Sequence, residues 1–263
     1  MELSGRTVLL TGASGGLGHA IGDALAARGA RLLLSGRRRE QLEELAARTG
    51  GTVLVCDLAE RDEVERLAGE AGDVDVLVAN AALPGSGRLE DYGVDGIDRV
   101  LDVNLRAPIV LARALVPGML DRGAGHVVLM SSLAGRAATV GQSLYVATKF
   151  GLRGFAGGLR ADLHGSGVGV SAIFPGFIRD AGMFHEAGVK LPPGVGTRAP
   201  EDVARAVVRA IERDKAQLDV APLGLRAGAI LAELAPETAA RVTRRLGGDG
   251  IAQDFASGQA GKR

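Results

Sequence analysis

Tyr145-Val146-Ala147-Thr148-Lys149 sets a phenol and an ammonium group four positions apart. On a helix such a pair shares one face. An ammonium beside a phenol favours the phenolate and lowers its pKa. A phenol tuned in this way can give or take a proton near neutral pH. The bare pattern also describes an ordinary exposed pair. Upstream, Met130-Ser131-Ser132 closes an apolar run. Its hydroxyls could hydrogen-bond a carbonyl oxygen, although serines at strand ends also form turns.

A second constellation is Thr11-Gly12-Ala13-Ser14-Gly15-Gly16-Leu17-Gly18. Between a strand and a helix, Gly12 permits a tight turn and a glycine near the helix start lets a phosphate approach the backbone. Gly18 permits close helix–strand packing. Free N–H groups and the positive helix end then favour a pyrophosphate. The glycine spacing departs from GxGxxG, and in a chain with 40 glycines the turn has a purely structural reading too. Further on, Ser35-Gly36-Arg37-Arg38-Arg39 offers no acid for a ribose 2′-hydroxyl, whereas an arginine suits a 2′-phosphate. Basic residues at a helix start are slightly unfavourable, which a bound anion offsets. The expected cofactor is therefore NADP(H), with NAD(H) as the alternative.

These groups need a frame. Short Val/Leu/Ile runs predict strands at Thr7–Leu10, Arg31–Leu34, Thr52–Cys56, Val74–Ala79, His126–Met130, Val168–Phe174 and Gln217–Ala221. Continuous apolar runs suit strands buried on both faces. Helical periodicity fills the gaps: Gly16–Arg28, Glu40–Arg48, Glu60–Ala71, Val94–Leu120 with a bend near Pro108, Ser143–His164 and Glu201–Arg213. The alternation predicts an α/β fold of three layers, a Rossmann-like doubly wound parallel sheet of about seven strands with helices on both faces. Residues 1–246 read as a single such domain. It includes a substrate loop over about 176–199, too long for a routine connection, and a helical C-terminal part over about 223–246. Residues 247–263 read as a polar flexible tail.

Composition narrows the class. Apolar residues make up 46% of the 263 and charged residues 24%, so the chain has a core to bury and is not disordered. Basic and acidic residues number 31 each, so no global field attracts nucleic acid. One cysteine cannot form an intrachain disulfide. The four histidines show no metal-ligand spacing, and no metal is expected. The N-terminus lacks a charged and apolar leader pattern, and no run of about 18 uninterrupted apolar residues exists. A cytoplasmic protein without a membrane span is expected. The segment Leu223–Leu234 with Ala239–Leu246 forms an amphipathic pair expected to pack on the body or on a subunit partner, with peripheral membrane contact as the alternative.

Together the motifs resemble the short-chain dehydrogenase/reductase family, in its short single-domain branch. Thr11–Gly18 is similar to its TGxxxGxG cofactor motif, and Asp57-Leu58 resembles its adenine-contacting pair. Asn80-Ala81 matches part of NNAG, with Ala82 in place of the glycine. Asn104, Ser132, Tyr145 and Lys149 resemble the catalytic tetrad, and Pro175-Gly176 the motif after the sixth strand. The match runs in order over about residues 5–180.

The resemblance implies hydride transfer between a nicotinamide and a carbonyl or alcohol. Tyr145 would be the acid/base, Lys149 would hold the nicotinamide ribose, and Ser132 would orient the substrate. Asn104 would hold a water in a relay with Lys149. Cofactor contacts are expected from Gly12, Ser14, Gly15, Gly16, Leu17, Gly18, Arg37, Arg38, Asp57, Leu58, Asn80, Ala81, Tyr145, Lys149, Pro175, Gly176 and Ile178. A lipophilic substrate pocket is expected from Ser132, Leu133, Gln142, Phe177, Met183 and Phe184. Asp180 stands where the family often has a threonine that contacts the carboxamide; it either accepts from that amide or faces solvent. Family analogy implies a homodimer or homotetramer. The alternative function is a cofactor-binding sensor with little turnover.

Overall fold

The computed structural model describes residues 1–189, 191, 195–245 and 257–258. The seven apolar runs are strands: β1 Thr7–Thr11, β2 Arg31–Gly36, β3 Thr52–Val55, β4 Val76–Ala79, β5 Gly125–Met130, β6 Val168–Pro175 and β7 Gln217–Val220. All pair in parallel, in the order β3-β2-β1-β4-β5-β6-β7. The helices are α1 Gly16–Ala26, α2 Arg39–Thr49, α3 Arg61–Ala71, α4 Val94–Leu101, α5 Ala107–Asp121, α6 Ser143–Asp162, α7 Gly182–Ala187, α8 Pro200–Glu212, α9 Leu223–Leu234 and α10 Pro236–Arg245.

Alternation along each strand splits the core in two. On one face Leu10, Leu34, Val78 and Ile173 meet Ile21 and Leu25 of α1, Leu42 and Leu45 of α2, and Val207 and Ile211 of α8. On the other, Leu9, Leu77, Val127 and Leu129 meet Leu67 of α3, Leu111 and Leu115 of α5, and Leu152 of α6. Burial on both faces explains why the strands are apolar throughout instead of alternating with polar residues. The strand order reverses between β1 and β4. Connections from their carboxyl ends therefore diverge to opposite faces and leave a crevice there, the usual ligand site of such sheets.

Two features depart from the sequence-based expectation. Residues 94–121 are not one α-helix bent at Pro108. A π turn at Asp102–Arg106 separates α4 from α5. Pro108 has no N–H to donate to the Asn104 carbonyl four residues back, and the wider turn absorbs that mismatch. This whole segment is long and apolar enough to cross a membrane by length and composition, but its buried half is core, through Val100, Val103, Leu111 and Met119. The loop after β6 contains the short helix α7, which no periodicity announced. The expected tail at 247–263 lies outside the described residues, except for Ser257 and Gly258. Gly258 lies so close to the Ala187 backbone of α7 that a Cβ would overlap its carbonyl. Leu246, at the end of the expected C-terminal helix, is also outside the described residues.

Candidate active site

The crevice begins at the glycine turn. Gly12 has φ +65°, and a Cβ there would sit 2.7 Å from the Ala81 Cα. A Cβ on Gly18 would overlap the Gly12 carbonyl oxygen. Both positions therefore require glycine, which brings β1, β4 and α1 into close contact. The N-cap of α1 is Gly15, with no capping side chain and no acid in the first turn. Its first N–H groups and the positive helix end are thus left available to an anion.

Twelve of the expected cofactor residues line one cleft of about 460 Å³: Gly12, Ser14, Gly15, Gly16, Leu17, Gly18, Arg37, Arg38, Asp57, Leu58, Asn80 and Ala81. Ala82, Leu83 and Pro84 continue its wall, and Met183 of α7 closes it. Sequence reasoning missed Ser35, Gly36, Cys56, Val103, Gly182 and Glu186, which also line it. Among the described residues the Ser35 hydroxyl, buried in that wall, has no hydrogen-bond partner. Burial pushes the Cys56 thiol up to about 12, so it is inert lining.

At the β2 end, Arg38 Nη2 donates to the Ser14 carbonyl at 2.5 Å. Arg37 lies 3.7 Å from Asp57. Arg99 of α4, unsignalled in the sequence, donates to Asp57 Oδ2 at 3.0 Å. Burial alone would raise the Asp57 pKa, but the Ala59 N–H and the Arg99 and Arg37 guanidinia hold it below the usual carboxylate range. The residues present fit an anionic dinucleotide: a glycine cradle, an orphan hydroxyl and two arginines at one end.

The other end of the cleft adjoins the start of α6. Leu83 N–H donates to Asn104 Oδ1 at 2.6 Å, and Asn104 Nδ2 donates to the Leu83 carbonyl at 2.9 Å. Asn104 is fully buried, and its Nδ2 also lies 3.5 Å from Thr148 Oγ1. The Asn104 side chain is thus a clamp on the β4–α4 connection. That connection packs on Tyr145: a Cβ on Gly85 would sit 2.9 Å from the Tyr145 nitrogen.

Ser132 follows β5 in an extended conformation. Its Oγ accepts from the Ala134 N–H at 3.2 Å and donates to the Pro175 carbonyl at 3.4 Å. Lys149 is buried, its Nζ 5.4 Å from the Tyr145 ring centroid and donating to the Met130 carbonyl at 2.9 Å. The electrostatics run against the simple spacing argument. Burial pushes the Tyr145 phenol up to about 12, opposed by a smaller lowering from its hydrogen bond with Ser132. Burial also brings Lys149 down to about 7. Desolvation of both groups therefore outweighs the expected lowering of the phenol by the ammonium.

On the substrate side Gln142 is buried at the N-cap of α6, and the Phe177 and Phe184 rings meet at 5.1 Å. Leu133 packs beside Gly176. Of the other expected cofactor residues, Tyr145 and Lys149 on α6 are outside the cleft lining, as are Pro175, Gly176 and Ile178 at and just beyond the end of β6; Ile178 is buried and bridges Arg198. Asp180 has φ +65°, a largely exposed side chain and an ion pair with Arg179.

The family model for short chain dehydrogenases matches residues 6–190. The chain belongs to the short-chain dehydrogenase/reductase family. Among its relatives, the ketoacyl reductase HetN of Nostoc sp. is 34% identical over 227 residues, covering 83% of this chain and 79% of the relative. The 3-oxoacyl-[acyl-carrier-protein] reductase FabG of Rickettsia prowazekii is 35% identical over 216 residues, 79% of this chain and 89% of that one. A short-chain dehydrogenase from Sphingobium yanoikuyae, solved in complex with NADPH, superposes with a TM-score of 0.75. It is 29% identical, with 91% of this chain and 95% of that one covered. The short-chain dehydrogenase described here is accordingly an oxidoreductase with a Rossmann-type fold.

Proposed function

We propose that this dehydrogenase is an NADP(H)-preferring reductase of lipophilic carbonyl compounds, with Tyr145 as the proton donor. The observation that carries the reading is that Ser132, Tyr145 and buried Lys149 converge where Gly85 packs on Tyr145, next to Leu83 and Pro84 of a cleft that also presents Arg37 and Arg38. The glycine turn would hold the pyrophosphate, and the two arginines the 2′-phosphate. The bound nicotinamide supplies the hydride.

The chain's own residues handle the proton. A phenol held at about 12 stays protonated at neutral pH, ready to donate to an oxygen that becomes alkoxide-like. The Ser132 hydroxyl orients that oxygen. A protonated Lys149 stabilises the phenolate left behind, which regains its proton from solvent. The protonated phenol is the form that carbonyl reduction uses, and alcohol oxidation would start from the phenolate. Leu133, Phe177, Met183 and Phe184 suit an apolar substrate body. The names of HetN and FabG favour including 3-oxoacyl thioesters among the carbonyls tested. A cytoplasmic homodimer or homotetramer is the assembly that family membership supports.

Fluorescence titration with NADPH and NADH, followed by a reductase screen over apolar ketones and acetoacetyl coenzyme A, tests this. Tight NADPH binding with turnover that Tyr145→Phe abolishes supports the proposal. Tight binding without turnover on any carbonyl favours the sensor reading, and preference for NADH removes the 2′-phosphate argument.

A further inference from the structure

A charged cluster behind Ser132 has no part in the chemistry above. Arg136 follows the 3-10 turn Leu133–Gly135 that begins at Ser132. Its side chain is only 10% exposed, and all three guanidinium nitrogens are engaged. Nε donates to Asp219 Oδ1 at 2.8 Å, Nη2 to Gln217 Oε1 at 2.8 Å, and Nη1 to Glu233 Oε1 at 3.2 Å. The guanidinium carbon lies 4.0 Å from the Phe174 ring centroid. Arg153, one helical turn beyond Lys149 on α6, grips the same Glu233 with two bonds of 2.8 and 3.0 Å.

The turn between them is tightly wedged. A Cβ on Gly135 would overlap Ser131 Oγ and sit 2.7 Å from the Lys149 carbonyl oxygen. Ser131 Oγ in turn donates to that carbonyl at 2.9 Å, and Arg153 Nη1 reaches the Gly135 carbonyl at 3.4 Å. One carboxylate from α9 thus joins the turn that follows Ser132 to the helix that carries Tyr145 and Lys149. Apolar packing does not explain this docking. Ala229 is the buried residue of α9, whereas Leu223, Ile230, Leu231 and Leu234 are exposed. The bidentate Arg153 fork and the single Arg136 bond on Glu233 supply the geometric definition that packing does not.

We propose that Glu233 is a positioning residue: by bridging Arg136 and Arg153 it fixes the spacing of the Ser132 hydroxyl relative to the Tyr145 phenol. The proposal rests on the roles given to Ser132 and Tyr145 above. Glu233→Gln keeps the shape and removes the charge. Hydrogen exchange of the unliganded variant is expected to quicken in 131–137 and in 145–156, as well as in α9, while the glycine turn at 11–18 is unchanged. With acetoacetyl coenzyme A as probe, kcat is expected to fall roughly tenfold, the scale of a sub-ångström misplacement, with NADPH affinity within about twofold.

Arg153→Lys, which keeps a charge on Glu233 but loses the fork, gives a weaker form of the same pattern should Glu233→Gln fail to fold. Val64→Ala in remote α3 controls for general loss of stability and should leave kcat alone. Faster exchange confined to α9 overturns the proposal. So does faster exchange at both catalytic segments with unchanged kcat, or an equal loss of kcat in Val64→Ala. Failure of the wild-type protein to reduce the probe counts against the thioester substrate alone, because the exchange pattern still decides the role of Glu233.

Discussion

His126 sits in β5 at the end of the sheet away from the cleft, buried, with Nε2 2.7 Å from Ser171 Oγ. Ser171 donates onward to the Lys215 carbonyl at 2.6 Å. Asp214, Arg160 and the N-terminal amine surround the ring. Desolvation pulls the imidazole from 6.5 down to about 4, outweighing the attraction of Asp214. The unfolded chain therefore binds a proton near pH 6.5, whereas the folded chain resists it until about pH 4. Stability from this group is complete above the unfolded value and is lost as pH falls through that window. The full difference, at 1.36 kcal/mol per pH unit, is roughly 3 kcal/mol. Between about pH 7.5 and pH 4.5 it amounts to about 2.5 kcal/mol. That is a sizeable share of a typical domain stability of about 5–15 kcal/mol.

The assay is urea denaturation of the wild type and of His126→Gln at both pH values. Glutamine places an amide nitrogen where Nε2 stands and does not titrate. Carboxylates remote from the ring, such as Asp57, contribute equally to both proteins and cancel. The wild type should lose about 2.5 kcal/mol more than the variant on acidification. A stability difference that stays constant within about 0.5 kcal/mol would refute the reasoning and mean that His126 protonates in place.

Tyr145→Phe should lower carbonyl reduction by roughly a hundredfold or more in steady-state assays, with NADPH affinity unchanged in fluorescence titration. Arg37→Ser with Arg38→Ser should weaken NADPH about tenfold, discounted for solvent exposure, and leave NADH alone; equal weakening of both would remove the 2′-phosphate assignment. Gly18→Val has no space beside the Gly12 carbonyl. It should abolish cofactor binding while circular dichroism still reports the α/β fold, and retained affinity would show that the turn is not the phosphate cradle.

The legibility of this chain in its sequence followed the range of the interactions. The seven strands and the glycine turn are local patterns: apolar runs a few residues long, and glycines whose φ or missing Cβ the backbone demands. The Tyr145–Lys149 spacing is equally local, because helical periodicity puts the two side chains on one face. What the sequence did not carry is set by packing between distant segments. The pKa direction of Tyr145 depends on the desolvation it meets in the folded chain, which spacing alone does not report. Asn104 reaches Leu83, Arg99 reaches Asp57, and Glu233 reaches both Arg136 and Arg153, across separations that no window of sequence spans. Composition and period therefore determined the sheet and which residues could do chemistry. Only the tertiary structure decided which are desolvated, which polar groups are already partnered, and which charge holds the catalytic elements at their spacing, because burial and ion pairing are properties of neighbours brought together by folding.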